Sequence, residues 1–327
     1  MKNIVITGGC GFIGVNLIRF LMKTDESVCI RVVDNLSVGQ LEDLNKVCTF
    51  RIIKAEELTG WDNGATLVVG DIQDAKLADS VCQEADGVVH LAANTGVIPS
   101  IEDPRMDCVV NVLGTFNYLD ACRKSNVKRF VLASSGAPLG EQEPPIHEEM
   151  LPRPISPYGA SKLCGEAYCS AFHGSFGVET VCLRFGNVYG PYSTHKGSVV
   201  AKFIKQILER ETLTIYGDGS QTRDFIYIDD LIRAVWAGVT VPGVGGHVFQ
   251  IATHREHTVI ELAEALNDLS GKYLGRKSEL VYEKERKGEV RRNYSDISKA
   301  RGMLGFEPKV GLESGLELTF KWFLGES

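Results

Sequence analysis

The sequence lacks an excess of positive charge, a long apolar run and a metal-ligand pattern. Its 35 Lys and Arg residues against 42 Asp and Glu residues leave a net charge of −7, which argues against nucleic-acid binding. No apolar stretch approaches the roughly 18 residues that a membrane span needs. Because a strand-like run begins directly after Met1-Lys2, we expect no signal peptide. No CxxC pair or His/Cys cluster has zinc-ligand spacing. We therefore expect no nucleic-acid partner, no membrane and no metal.

The cysteines argue against a disulfide framework. There are nine, an odd number, scattered and mostly set among apolar residues, as in a cytoplasmic protein with reduced thiols. The chain is 44% hydrophobic and 24% charged, which fits a soluble globular protein. Its 327 residues exceed one small core and indicate one large or two modest domains.

Short apolar runs alternate with helix-like stretches in the first half of the chain. The runs lie at 3–7, 30–34, 66–70, 87–93, 129–135 and 179–185. Helix-like stretches lie at 13–22, 75–84, 109–124 and 158–172. Continuous apolar strands that alternate with helices predict an α/β fold with a doubly wound parallel sheet covered on both faces.

The pattern changes after about residue 186, where longer loops separate isolated strands and helices. The loops GPYSTHKG and YGDGSQTRD are rich in Gly, Ser and Thr, as binding loops often are. We expect residues 1–186 to form the first domain and 187–327 mainly a smaller C-terminal substrate-binding lobe, with 225–252 packing back on the first.

The segment TGGCGFIG follows the first strand and places Gly8, Gly11 and Gly14 in a GxxGxxG spacing. Such glycines allow a tight turn, close approach of backbone N–H groups to a pyrophosphate and close helix packing, as in a Rossmann-type site. Asp34 ends the next strand, twenty residues after Gly14, where a carboxylate would bind ribose hydroxyls and repel a 2′-phosphate. This favours NAD over NADP; the alternative is a tight turn followed by a helix N-cap.

Two further segments follow later strands. Asp71 in GDIQD could accept from the adenine amino group or simply cap the following helix, and both interpretations stay open. HLAAN (90–94) ends a fourth strand with small residues, which leaves room for the cofactor.

The stretch SPYGASKLCGE (156–166) places Tyr158 four residues before Lys162. On a helix these side chains share one face. A nearby cation favours phenolate and lowers a tyrosine pKa, which starts near about 10, toward general-base chemistry. The alternative is chance spacing on a surface helix.

These motifs together resemble those of the extended short-chain dehydrogenase/reductase family, within it the nucleotide-sugar epimerases and dehydratases. TGGCGFIG, Asp34, GDI, HLAA, ASSGAPLG, SPYGASK, RFGNVYGP, TRDFIYIDD and SDISKA come in that family's order across essentially the whole chain. The resemblance implies that Tyr158 is the general base and Lys162 its partner on the cofactor ribose. The predicted NAD-binding set is Gly8, Gly11, Phe12, Ile13, Gly14, Asp34, Asn35, Asp71, Ile72, Leu91, Ala92, Ala93, Thr95, Asn111, Tyr158 and Lys162.

The resemblance also implies a third catalytic residue, Ser135, at the end of the fifth strand. Ser134 would point to the opposite side of an extended segment. The chain has Pro138-Leu139 where the family usually has Val-Tyr. Sugar 4,6-dehydratases carry Asp and Glu directly after their catalytic Thr, whereas this chain has Gly and Ala there, which cannot transfer a proton. Reversible hydride transfer at C4 is therefore expected, rather than dehydration.

Nucleotide-sugar contacts are implied in the second lobe. By resemblance, two arginines and Asn187 grip the diphosphate, Glu289 binds the nucleotide ribose and Tyr216 packs on the base. A surface salt bridge is the alternative for each arginine. Asn293 aligns with the residue that limits the C2 substituent, and Asn leaves more room there than Tyr. The predicted substrate set is Ser135, Tyr158, Asn187, Val200, Tyr216, Arg223, Arg286, Glu289 and Asn293.

The expected function is NAD-dependent 4-epimerisation of a UDP-hexose, UDP-glucose/UDP-galactose with the N-acetylhexosamine pair as a further substrate, through a transient 4-keto sugar. The alternatives are a UDP-glucuronate 4-epimerase, although Gly96-Val97-Ile98 lacks the arginine of uronate-specific relatives, or another nucleotide-sugar epimerase or reductase. A non-enzymatic NAD-binding sensor or scaffold is a third. Family members commonly form homodimers by pairing two helices, here 109–124 and 158–172.

Overall fold

The computed structural model describes residues 1–24, 27–195, 197–285 and 290–326. A parallel sheet lies at its centre, and further strands form smaller sheets. The strands are β1 (Asn3–Thr7), β2 (Cys29–Asp34), β3 (Phe50–Ile53), β4 (Gly64–Val69), β5 (Gly87–His90), β6 (Arg129–Ser135), β7 (Glu179–Phe185), β8 (Asn187–Tyr189), β9 (Leu213–Tyr216), β10 (Thr222–Arg223), β11 (Phe225–Tyr227), β12 (His247–Ile251), β13 (His257–Thr258) and β14 (Leu280–Glu283). Eight of these described strands make one sheet in the order β12-β7-β6-β5-β1-β2-β4-β3, with every pairing parallel.

Helices cover both faces of this sheet. They are α1 (Phe12–Thr24), α2 (Leu41–Asn45), α3 (Ala75–Val81), α4 (Val97–Glu102), α5 (Pro104–Cys108), α6 (Gly114–Lys124), α7 (Pro157–Phe176), α8 (Val199–Leu208), α9 (Ile228–Thr240), α10 (Val259–Leu274), α11 (Ser298–Leu304) and α12 (Leu312–Phe323). A π-helical segment, Val109–Leu113, joins α5 to α6, and 3₁₀ turns occupy Ala55–Glu57 and Ala137–Leu139. None of the helices in the described ranges has both the length and the apolar character to cross a membrane.

Alternate residues of β1 belong to two separate hydrophobic cores. On β1, Ile4 and Ile6 belong to the core shared with α1, α9 and the second lobe. Val5 belongs to the core shared with α3, α6 and α7. This follows from the two-residue period of a strand, and it confirms the predicted α/β fold with a doubly wound parallel sheet.

The later part of the chain adds to the central sheet and also forms small sheets of its own. β12 joins the central sheet beside β7, and α9 packs on β6, β7 and α1. The remaining strands form small sheets, β8 with β11 and β9 with β14 in parallel and β10 with β13 antiparallel. Open α/β sheets bind ligands outside the carboxyl ends of their strands, so the segments after β1, β2, β5 and β6 are the expected location of the site.

Candidate active site

The glycine-rich turn after β1 forms a close-packed cradle at the start of α1. Gly8 has φ +68°, and a Cβ there would lie 2.8 Å from the backbone N of Ala92. A Cβ on Gly14 would lie 2.4 Å from the Gly8 carbonyl oxygen. Thr7 Oγ1 accepts from the backbone N–H groups of Leu91 (3.1 Å) and Ala92 (3.2 Å). Only glycine permits these approaches, and the cradle fits a dinucleotide pyrophosphate at a helix N-terminus.

Asp34 links the end of β2 to this turn. Its Oδ2 accepts from the Cys10 backbone N–H at 2.9 Å, and its Oδ1 accepts from the Leu36 N–H at 2.9 Å. Burial raises the pKa of Asp34, and these hydrogen bonds partly oppose the rise. Each carboxylate oxygen can still accept a second bond, so Asp34 can hold the turn and also meet a ribose hydroxyl. The first of these roles was not predicted.

Asp71 lies beside Asn35, across the carboxyl ends of β2 and β4. Asn35 Nδ2 donates to Asp71 Oδ2 at 2.8 Å. Burial acts to raise the pKa of Asp71, but hydrogen bonds from Gln73 and Asn35 outweigh it and lower the pKa. The cap of α3 is Asp74, which accepts from the Lys76 and Leu77 N–H groups. The alternative interpretation of Asp71 as the helix cap is therefore wrong.

The other predicted cofactor positions follow the strands β1, β4 and β5. Phe12 and Ile13 begin α1 and pack against the first core. Ile72 is buried against Gly114, where a Cβ would lie 2.6 Å from Ile72 Cδ1. Ala93 is half-buried after β5, and Thr95 is exposed.

Asn111 lies in the π-helical segment and connects three parts of the site. Its Nδ2 donates to the Asn94 carbonyl (3.0 Å), to Asp107 Oδ1 (2.9 Å) and to Ser161 Oγ (3.1 Å), and its Oδ1 accepts from the Asn94 N–H (2.8 Å). The amide therefore fixes the loop after β5 against α7. Single π-turns inside helices are frequent at functional sites.

Tyr158 and Lys162 share one face at the beginning of α7. Ser156 caps the helix by accepting from the Gly159 N–H at 3.1 Å. Lys162 Nζ lies 5.9 Å from the centre of the Tyr158 ring and donates to the Ala133 carbonyl at 2.9 Å. The structure thus brings the predicted pair together at the carboxyl end of β6.

The pKa of Tyr158 departs from the expected direction. Burial raises it to about 12, although a hydrogen bond with Ser135 acts to lower it, and Asp107 adds to the rise. Burial also lowers the pKa of Lys162 to about 8, against the opposing effects of Asp107 and Glu166. Helical spacing carries no information on this burial, which is the largest cause of the Tyr158 pKa shift.

The two adjacent serines at the end of β6 point to different partners. Ser134 is buried and its Oγ donates to Glu166 Oε1 at 2.6 Å. Ser135 interacts with Tyr158 and accepts from the Ala137 N–H at 3.2 Å. A Cβ on Gly159 would lie 2.5 Å from the Ala137 carbonyl oxygen, so glycine lets α7 approach this turn. Ser135 is therefore the serine directed at the reacting side chains.

Asn293 lies next to the same turn. Its Nδ2 is 3.9 Å from where a Cβ on Gly136 would lie. Tyr216 lines a separate pocket of about 270 Å³ together with Asp218, Gln221 and Arg291. Lys202 Nζ lies 5.0 Å from the centre of the Tyr216 ring.

The remaining predicted substrate residues are spread along the second lobe. Arg223 donates to the carbonyl of Val290 at 2.8 Å, and Asn187 is exposed on β8. Val200 is 2% exposed within the core. Arg286 and Glu289 lie outside the described residues.

Sequence reasoning missed three buried groups behind the site. These are Asp107, Glu166 and Arg184. For two of them the sequence carried a helical-spacing signal, because Asp107 precedes Asn111 by four residues and Glu166 follows Lys162 by four. Within the described ranges no three His, Cys, Asp or Glu side chains cluster in a way that could hold a metal ion.

Comparison with known proteins identifies the family. The model of the NAD dependent epimerase/dehydratase family matches residues 4–252. A putative UDP-glucose 4-epimerase of Methanocaldococcus jannaschii is 35% identical over 324 residues, which cover 98% of this chain and 97% of that protein. A UDP-glucuronate 4-epimerase of Thermodesulfobacterium geofontis is 33% identical over 326 residues, covering 97% and 95%.

A solved structure agrees with these relatives. The crystal structure of UDP-glucose 4-epimerase with UDP-glucose from Thermotoga maritima superposes with a TM-score of 0.88 at 35% identity and covers 99% of both chains. The resemblance inferred from the motifs is thereby confirmed over the whole length. The chain belongs to the NAD dependent epimerase/dehydratase family.

Proposed function

We propose that this protein inverts C4 of a UDP-hexose, with UDP-glucose and UDP-galactose as its substrate pair. The observation that carries the proposal is the convergence of Ser135, Tyr158 and Lys162 beside Gly136 and Ala137. Hydride transfer needs the first three residues. Elimination of water would need an acid and a base at the last two, which carry neither.

Each side chain has an assigned role. Bound NAD supplies a reversible hydride acceptor and a positive charge, and the glycine cradle and Asp34 would hold it. A positive charge favours phenolate, so we expect the pKa of Tyr158 to fall below about 12 in the loaded enzyme. Tyr158 then accepts the proton of the sugar 4-OH as C4 is oxidised.

Ser135 and Lys162 assist that proton transfer. Ser135 Oγ accepts from the Ala137 N–H and is hydrogen-bonded to Tyr158, and with substrate bound its O–H would donate to the sugar oxygen. Lys162 supplies a fixed positive charge near the phenol. The 4-keto sugar rotates within the site and its other face is reduced. Tyr158 returns the proton, so no redox equivalent is consumed.

The second lobe is assigned to the nucleotide. The pocket beside Tyr216 has room for a planar base, and Asn187 and Arg223 lie on β8 and β10. Arg286 and Glu289 complete this proposal from the sequence alone. The first lobe, with β12 and α9, is assigned to NAD.

The space beside the catalytic turn bears on the choice of sugar. Gly136 has no side chain, and a Cβ there would lie 3.5 Å from Ile146 Cδ1 and 3.9 Å from Asn293 Nδ2. This leaves room for an N-acetyl group on C2, so UDP-N-acetylglucosamine is included as a second substrate. UDP-glucuronate is the alternative that the Thermodesulfobacterium relative favours; Gly96, Val97 and Ile98 offer its carboxylate no cation.

A proton NMR time course of the purified protein with UDP-glucose, UDP-N-acetylglucosamine and UDP-glucuronate tests the proposal. We expect UDP-glucose to be converted to UDP-galactose. If NAD remains bound during purification, the conversion should proceed whether or not NAD is added. Exclusive turnover of UDP-glucuronate would replace the proposed substrate. Failure to convert any of the three, while NAD still binds, would favour the sensor alternative.

The Asn293→Tyr variant, assayed with the same mixture of substrates, tests the assignment of the sugar. A tyrosine beside Gly136 fills the space for a C2 substituent, so conversion of the N-acetylated sugar should fall at least tenfold relative to UDP-glucose, about 1.4 kcal/mol in the transition state. UDP-glucose serves as the internal control. An unchanged ratio of the two rates contradicts the assignment.

We also propose a cytoplasmic homodimer. All nine cysteines are free thiols, which suits a reducing compartment. Phe116 on α6 contacts Tyr168 on α7 edge to face, with ring centres 5.4 Å apart. These rings and Phe176 remain 36–54% exposed, so the two helices present an apolar face that a second copy would cover.

A further inference from the structure

A buried ion pair lies one helical turn beyond Lys162. Glu166 on α7 and Arg184 on β7 are 5% and 3% exposed. Arg184 Nε donates to Glu166 Oε1 at 2.8 Å, and its Nη2 donates to Oε2 at 2.7 Å. Ser134 Oγ donates to the same Oε1 at 2.6 Å. Because Ser134 and Arg184 are register partners, one carboxylate connects α7 to two adjacent strands.

This connection belongs to a series of contacts between β6 and α7. Three consecutive residues at the end of β6 each meet a side chain of the same helix face. The pairs are Ala133 with Lys162, Ser134 with Glu166, and Ser135 with Tyr158. The helix partners are four residues apart, so they lie in one row along α7. The ion pair is therefore the end of the row that carries the reacting groups.

Stability alone is a poor explanation for this pair. Removing two charges from water costs about as much as their attraction returns, and apolar replacements are often at least as stable. Arg184 Nη1 is buried and lacks a hydrogen-bond partner among the described residues, which adds to that cost. What the pair provides is geometry, since a bidentate arginine holds a carboxylate in one orientation.

We propose that Glu166, held by Arg184 and Ser134, is a positioning residue that sets Tyr158 and Lys162 against Ser135. The inference rests on the proposed function. Displacement of a catalytic group by about 1 Å can cost roughly 100-fold in rate, so a small shift of α7 is enough to slow proton transfer. Glu166 itself does not touch the substrate.

The test compares Glu166→Gln with a matched control on the same strands. Glu179→Gln breaks the contact between Arg129 Nη2 and Glu179 Oε2, 2.8 Å apart, at the opposite end of β6 and β7. We expect Glu166→Gln to lower kcat per NAD-loaded molecule by about 10- to 100-fold, with KM for the UDP-sugar nearly unchanged. Glu179→Gln should leave both constants unchanged.

A pH profile supplies a readout that a general loss of packing would not move. Lys162 is faced by Asp107 from α5, His90 from β5, and Glu166 and Tyr158 from its own helix. The Glu166 charge acts to raise the pKa of Lys162, which lies at about 8. The alkaline fall of kcat should therefore move to lower pH in Glu166→Gln, and stay in place in Glu179→Gln.

Ser134→Ala covers the case in which Glu166→Gln does not fold. It leaves the ion pair whole and removes only the link to β6, so we expect a several-fold lower kcat with an unmoved pH profile. Unchanged kcat in whichever variant folds, or an equal loss in Glu179→Gln, would overturn the inference while the wild-type protein still epimerises. No turnover by the wild type would instead defeat the proposed function and this inference with it.

Discussion

Lys162 is held in a nearly dry position by residues from several elements. It is 6% exposed, and its Nζ donates to the Ala133 carbonyl. Burial lowers its pKa to about 8, while Asp107 and Glu166 act to raise it. A lysine cation is present below its pKa and lost as pH rises through it. Activity that depends on this cation should therefore decline above about pH 8.

Asp107 gives a direct test at the residue scale. It is 1% exposed, and its Oδ2 has no hydrogen-bond partner in the part of the chain that the structure describes. Asp107→Asn keeps an oxygen for Asn111 but removes the charge, so the pKa of Lys162 should fall further. We expect the alkaline limb of kcat to move down by about one pH unit.

The measurement is kcat against pH from neutral to alkaline conditions. Asp120→Asn, on the surface of α6, is the matched control, because Asp120 pairs with Arg123 and Lys124 away from the site. A limb that stays at the wild-type position in Asp107→Asn would contradict the electrostatic role.

At the scale of elements, α7 is the helix that places the reacting groups. It begins at Pro157, directly after the Ser156 cap, and ends at Phe176, followed by the C-cap Gly177 with φ +70°. Ser156→Ala removes the bond to the Gly159 N–H and should lower the free energy of unfolding by about 1 kcal/mol. Chemical denaturation measures the change.

Ser198→Ala is the control for this cap. Ser198 precedes α8 in the same position, but its Oγ is buried without a hydrogen-bond partner among the described residues. Removing an unsatisfied hydroxyl should leave the free energy of unfolding unchanged or slightly higher. Equal losses of unfolding free energy in the two variants would show that the hydrogen bond of Ser156 does not stabilise the protein.

The six apolar runs in the sequence each correspond to a strand, because parallel strands buried on both faces need continuous apolar residues. β3 was not predicted, since it is an edge strand in which Arg51 and Ile52 are exposed. The shared face of Tyr158 and Lys162 followed from helical spacing, and their roles followed from the family resemblance. The bonds of Asp34 and Asp71 did not, because they depend on how loops from different strands meet.

At the scale of the whole molecule, membership of the NAD dependent epimerase/dehydratase family follows from motif order and is confirmed by the comparisons. The buried charges behind the site could not be predicted in the same way. Their effects depend on burial, and burial arises only when α5, α7, β6 and β7 are packed together.

The proposed homodimer is tested at this scale by light scattering after size-exclusion chromatography. Phe116→Asp places a charge in the apolar face of α6 and α7, so we expect a monomer. Leu318→Asp, at a 50% exposed position on α12, is the control and should leave the dimer intact. A monomeric wild-type protein would contradict the proposal.

The most direct test of the central claim follows a label on C4. Wild-type protein is incubated with UDP-glucose carrying deuterium at C4 in ordinary water, and the galacto product is examined by NMR and mass spectrometry. We expect the product to retain deuterium at C4, because the same hydride leaves and returns within one active site. Tyr158→Phe should still bind NAD, but its turnover should fall by about 100-fold or more. Tyr168→Phe should bind NAD and keep its turnover. Exchange of the label with solvent, or no galacto product from the wild type, would contradict the account.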